Sequence, residues 1–259
     1  MDMKIWTVIT QKGGAGKTTT AVNLAVISAI EAGERTLLID CDEQRSATTW
    51  WESRTADEQA PYLIRAQPGR VRDDIEQARS HGFTHVIIDT PGFAGIKASE
   101  AASASTLAIV PCQPSVADIR STFDTARMLK DNDVPYVFLL NRCPTSGREV
   151  AEASDAFRGI GMLCDQVCHD RKGHKRAYAT GLGITEYAAI DRSAETAATE
   201  TREIHRWLLA KERRLRGGSP FAEALPTPSA PGVDTPPAAP APRRSIDAGV
   251  SAGGPGELA

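Results

Sequence analysis

Short, continuous apolar runs recur along this chain, at residues 4–10, 36–39, 86–88, 107–110 and 136–140. Between them lie segments long enough for helices, such as 70–81 and 115–131. Runs that are apolar on both faces and alternate with helices predict a mostly parallel twisted sheet covered on both sides, an α/β fold. Residues 18–32 read as a mostly buried helix closed by Gly33. Trp50 and Trp51, adjacent on the helix expected after Asp42, cannot both face one side; one belongs in the core, and the other packs nearby or meets a partner.

The pattern changes after residue 216. From 217 to 259 Pro, Ala, Gly and Ser dominate, and Phe221, Leu225, Val233, Ile246, Val250 and Leu258 are the only sizeable apolar residues. These bury too little surface to offset ordering entropy, so the expectation is a single domain over 1–216 and a disordered tail over 217–259. The 259 residues carry a net charge of −3. Within the tail Arg243 and Arg244 face Glu223, Asp234, Asp247 and Glu257, which leaves the folded part near neutral. Affinity for nucleic acid must therefore come from a local patch. No apolar run approaches a membrane span and the first residues read as a strand rather than a signal peptide, so a cytoplasmic protein is expected. Cys41, Cys112, Cys143, Cys164 and Cys168 fit reduced thiols there. Cys164, Cys168, His169 and His174 invite a metal reading, but their spacing matches no common zinc pattern.

The chemistry concentrates at Gln11-Lys-Gly-Gly-Ala-Gly-Lys-Thr-Thr19. Gly13, Gly14 and Gly16 free the backbone to aim successive N–H groups at one point, Lys17 adds a cation, and the Thr18 hydroxyl can ligate Mg²⁺. A strand before the loop and a helix after it make this a phosphate cradle, although position 11 is Gln where the strict pattern has Gly. Two apolar runs end in acids, Asp40 and Asp89. Ligands of a parallel sheet bind beyond the carboxyl ends of its strands, so the loop, Asp40-Cys-Asp42 and Asp89-Thr-Pro-Gly92 should converge on one edge. Asp89 is placed to hold Mg²⁺ through its water shell, Asp40 to share in that site, and Asp42 to position an attacking water.

These residues resemble a known family. The loop, together with Leu38-Ile-Asp-Cys-Asp-Glu-Gln44 and Ile88-Asp-Thr-Pro91, looks like the deviant Walker-A ATPases of the ParA/MinD superfamily, and most like small ParA-type DNA-partition ATPases without an N-terminal helix-turn-helix domain. The resemblance runs from Lys4 to about Leu209. It takes in Pro111-Cys-Gln-Pro-Ser115, Asn141-Arg142 and Gly181-Leu-Gly-Ile-Thr-Glu186, and leaves out the tail. It implies a P-loop NTPase fold that binds ATP and Mg²⁺ through Lys12, Gly13, Gly14, Ala15, Gly16, Lys17, Thr18 and Thr19. Lys12 resembles the signature lysine that reaches the other subunit's phosphates in a nucleotide-sandwich homodimer, Asp42 the acid needed for hydrolysis, and Asn141 the residue facing the adenine. Departures are Ala15 where Val is common and Cys41-Asp-Glu43 for the usual Leu-Asp-Pro; Glu43 places an extra negative charge beside the water site.

Two basic clusters bear on partners: Arg171, Lys172, His174, Lys175 and Arg176, and Lys211, Arg213, Arg214 and Arg216. The resemblance implies non-specific DNA binding by the ATP-bound dimer, with Arg171, Lys172, Lys175, Arg176, Arg213 and Arg214 as candidates, and a nucleoid-associated protein. It also implies weak hydrolysis until a centromere-binding, ParB-like adaptor joins. Cations that end a helix are equally favourable where they stand. A MinD-like membrane-positioning ATPase is the alternative, although the Pro-rich stretch 226–259 offers no amphipathic helix and no membrane partner is expected. A conjugation-accessory ParA relative shares every one of these residues.

Overall fold

In the computed structural model residues 2–54, 60–92 and 95–217 are described. The expected tail lies outside them from residue 218 onward. Five of the strands are those anticipated: β1 (Lys4–Val8), β2 (Thr36–Asp40), β4 (His85–Asp89), β5 (Leu107–Cys112) and β6 (Tyr136–Leu140). The sixth, β3 (Tyr62–Arg65), was not anticipated. All pair in parallel, in the order β3-β2-β4-β1-β5-β6.

Alternation along the strands sends side chains to two separate cores. Trp6, Val8, Leu38 and Ile87 face one side, where α1 (Lys17–Val26), α2 (Ser46–Glu52) and α9 (Glu195–Gly217) cover them. Leu37, Ile39, Val86 and Ile88 face the other, under α3 (Val71–Ser80) and α4 (Ile96–Ser103), continuing beneath α5 (Val116–Asp131) and α6 (Glu149–Arg158). Of two short helices, α8 (Ile184–Ile190) packs against α9 and α1, and α7 (Lys172–Ala179) packs against α8.

The expected helix over 18–32 is α1 followed by a π-helical turn, Ile27–Glu31, in which the Ala32 amide bonds back to the Ile27 carbonyl. Gly33 follows with φ +65°. Trp50 is core at 1 % exposure, while Trp51 is half-buried and donates to the Pro61 carbonyl at 2.8 Å, so packing within the chain accounts for both.

Candidate nucleotide site

Register brings the acids together. Val8 is paired with Asp89 and Asp89 with Asp40, so the strand ends carrying the loop and both acids are adjacent. At the loop Gly14 and Gly16 have φ of +77° and +89°, and Gly16 caps α1. The Asn141 amide donates to the Ala15 carbonyl at 2.8 Å, Gln113 Nε2 to the Gly14 carbonyl at 3.0 Å, and Arg142 Nη1 to that same carbonyl at 2.9 Å. Gln113 and Arg142, which stand in the segments of the resemblance but had no role assigned there, support the loop.

Lys17 is 7 % exposed and donates to the Lys12 carbonyl at 2.9 Å. Burial holds its ammonium below the usual lysine range, against the opposite pull of Asp89 and Asp42. Asp89 is fully buried, and neither carboxylate oxygen accepts a hydrogen bond. Burial pushes it up to about 8, with Asp40 and Asp42 adding to the rise and Thr18 and Lys17 opposing it. An orphaned, desolvated carboxylate beside a hydroxyl supplies oxygen ligands that suit a divalent cation. Thr18 and Asp89 would hold Mg²⁺, which there would offset phosphate charge.

Asp40, expected to share in the metal site, accepts three hydrogen bonds of its own. Its Oδ1 accepts from the Asp42 amide at 3.0 Å, and its Oδ2 accepts from the Thr48 amide at 2.9 Å and the Thr48 hydroxyl at 2.6 Å. It fixes the β2–α2 turn and thereby Asp42, which stays half-buried and accepts from the Gln44 amide at 2.9 Å.

A cavity of ≈ 730 Å³ opens on the loop and is lined by Lys17, Thr18, Asp42, Asn141 and Arg142. Its far wall, including Cys168 and His174, comes from α7 and the segment before it. Cys168 Sγ lies 3.5 Å from His174 Nε2, but no group of three or more potential ligands among the described residues could hold a metal ion. Lys12 is outside this lining, and its ammonium lies 2.7 Å from Asp118 Oδ2.

The two basic clusters sit at opposite edges of the sheet. Lys175 borders the cavity at the carboxyl edge, and Lys172 nearby is exposed. Arg171 is committed to Glu200 at 2.6 Å, and Arg176 lies 3.6 Å from Asp191. Arg213 and Arg214 are exposed at the end of α9, where Arg216 bonds to the Asp2 and Met3 carbonyls beside the start of β1. No helix among the described residues is long and apolar enough to cross a membrane.

This sheet, loop and acid pair define a nucleotide-binding P-loop ATPase, and residues 6–209 match the CobQ/CobB/MinD/ParA nucleotide-binding domain. The chain belongs to that family and is a ParA/MinD-family ATPase. Among its relatives, a maintenance of carboxysome distribution protein A from Gloeobacter kilaueensis is 31 % identical over 78 % of this chain and 92 % of its own. A virC1 protein from Rhizobium radiobacter is 30 % identical over 60 % of this chain and 73 % of its own. The Mg-ADP-bound septum site-determining protein MinD of Pyrococcus horikoshii has the same fold, with a TM-score of 0.65 at 18 % identity, over 81 % of this chain and 98 % of that one.

Proposed function

We propose that this chain is an ATP-dependent dimerisation switch that binds DNA without sequence preference and uses hydrolysis to segregate or position a cargo through an adaptor protein. The observation that carries the reading is the second ammonium of the loop: Lys12, with 34 % of its side chain exposed, stands outside the cavity that buries Lys17. A cation so placed is most useful where it offsets charge on a partner's nucleotide. In this reading the loop amides, Lys17 and Thr18 bind the triphosphate, Asn141 faces the base, Asp42 orients the attacking water, and Lys12 crosses to the other subunit. Turnover is slow until adaptor and DNA join.

Light scattering with a non-hydrolysable ATP analogue tests the core of this. A dimer is expected with the analogue, and also with ATP for Asp42→Ala; a monomer in both would sink the proposal. Pelleting with liposomes under the same conditions would instead favour the membrane-positioning alternative.

A second reading keeps the switch and changes the cargo. The carboxysome-distribution relative is matched over 92 % of its length, which favours a protein body over a DNA molecule. An adaptor recovered by analogue-dependent pull-down would decide, by binding either a protein shell or a DNA sequence.

A further inference from the structure

We propose that Asp118 is a positioning residue for Lys12, holding its ammonium within its own subunit until nucleotide and a second copy draw it away. This rests on the dimer reading above. Asp118 comes from α5, more than a hundred residues along the chain from the loop, and its carboxylate is 3 % exposed. Three groups compensate that buried charge. The Lys12 ammonium lies 2.7 Å from Oδ2, the Ser115 hydroxyl bonds to the same oxygen, and the first turn of α5 contributes its positive end. Ser115 caps that turn in return, accepting from the Asp118 amide at 3.2 Å.

The pair is one of three ties between the loop and α5 with the segment that leads into it. The Gln11 amide donates to Thr125 Oγ1 at 3.3 Å, and Gln113 donates to Gly14. These contacts fix where the backbone of the loop lies, and Asp118 fixes where the Lys12 side chain points. A lysine held this way cannot also reach a neighbouring subunit's phosphates. Moving it leaves a desolvated carboxylate with only a hydroxyl and a helix end, and that cost falls on the dimer alone. A ligand shifts such an equilibrium only by its differential affinity for the two states. Asp118 thus raises the nucleotide concentration at which the switch closes and keeps empty subunits apart.

Two measurements on the full chain separate this from the dimer reading. The first is acetylation of nucleotide-free protein with an N-hydroxysuccinimide ester, scored by mass spectrometry at Lys12 against exposed Lys172. Asp118→Asn should speed Lys12 labelling several-fold and Asp118→Glu should restore protection; equal rates in wild type and Asp118→Asn overturn the proposal. The second is light scattering across a titration of the non-hydrolysable analogue. Asp118→Asn should dimerise at about tenfold lower analogue concentration, and an unchanged or higher midpoint also overturns it. Failure of wild type and variant alike to dimerise would sink the dimer reading, and the labelling result alone would then decide whether Asp118 holds Lys12. Ser115→Ala, which removes the cap and keeps the charge, controls for damage to α5 and should leave Lys12 protected.

Discussion

At Gly16 two constraints coincide. The backbone is left-handed, with φ of +89°, and an added methyl group would stand 2.4 Å from the Asn141 amide nitrogen. Gly16→Ala should therefore lower stability by about 1–3 kcal/mol, readable as a lower Tm, and abolish binding of a fluorescent ATP analogue by displacing Asn141 and the loop. Asp42 presents the opposite case, a half-buried acid that supports only a local turn through Gln44. Asp42→Ala should reduce turnover about a hundredfold or more while changing analogue affinity by a few-fold at most, in parallel phosphate-release and binding assays. The loop and Asp89 were legible because each follows an apolar run directly, and Asp42 because it stands two residues past the acid that ends one. Asp118, Gln113 and Arg142 were not: they reach the loop from distant segments, and only the strand order and the cap of α5 put them there. Asp40 is a different case. An acid at a strand end reads as a ligand, and nothing local tells that the Thr48 amide and hydroxyl engage it.

Among the elements, the strands that could be read were those apolar on both faces. β3 has one neighbour and a burial pattern of exposed, half-buried, half-buried, exposed residues, so it carries no continuous apolar run. The helix expected over 115–131 was legible from its length between two apolar runs, and Ser115 caps it. α9 does two things. Its inner face places Glu212, 2 % exposed, against β1, where Oε2 accepts from the Trp6 indole at 2.9 Å and Oε1 accepts from the Thr106 hydroxyl. Its outer face presents Arg213 and Arg214. Glu212→Ala leaves a buried indole N–H without its acceptor and should cost about 2 kcal/mol, measured by urea unfolding. Because the basic clusters lie at opposite edges, their variants should behave differently in gel shifts. Lys172→Ala with Lys175→Ala should remove only the nucleotide-dependent part of DNA binding. Arg213→Ala with Arg214→Ala should weaken it with or without nucleotide, each lost phosphate contact lowering the salt slope by about 0.9.

For the whole molecule, acid is the informative variable. Beneath the amino ends of the strands His85, fully buried, meets Trp6 edge-on, and His205, 3 % exposed, lies against the same indole at a tilt. Burial lowers the pKa of each, that of His205 to about 4, and His205 shares its Nε2 with the Ser28 hydroxyl at 2.9 Å. Glu34 lies beside them; burial would raise its pKa, but the His85 ring and the Lys4 ammonium hold it down at about 2. An unfolded chain takes up the histidine protons first, so their contribution is complete above pH 6.5 and drains away as pH falls towards 4. Asp89, raised to about 8, works in the opposite sense, which makes the difference between two proteins the clean measurement. His205→Gln should lose less stability than wild type between pH 6.5 and 4, by about 3 kcal/mol, in thermal melts followed by circular dichroism.

The order of the strands also dictates a timetable. β1 finds no partner until β4 exists, because its neighbours are β4 and β5; β2 and β3 can pair with each other earlier, but only β4 joins them to β1. On the ribosome the phosphate loop therefore emerges first and matures late. A nascent chain stalled before residue 85 holds every loop residue yet offers β1, which carries the loop, no strand to pair with, and ATP can assist its folding only after the central strand has been made.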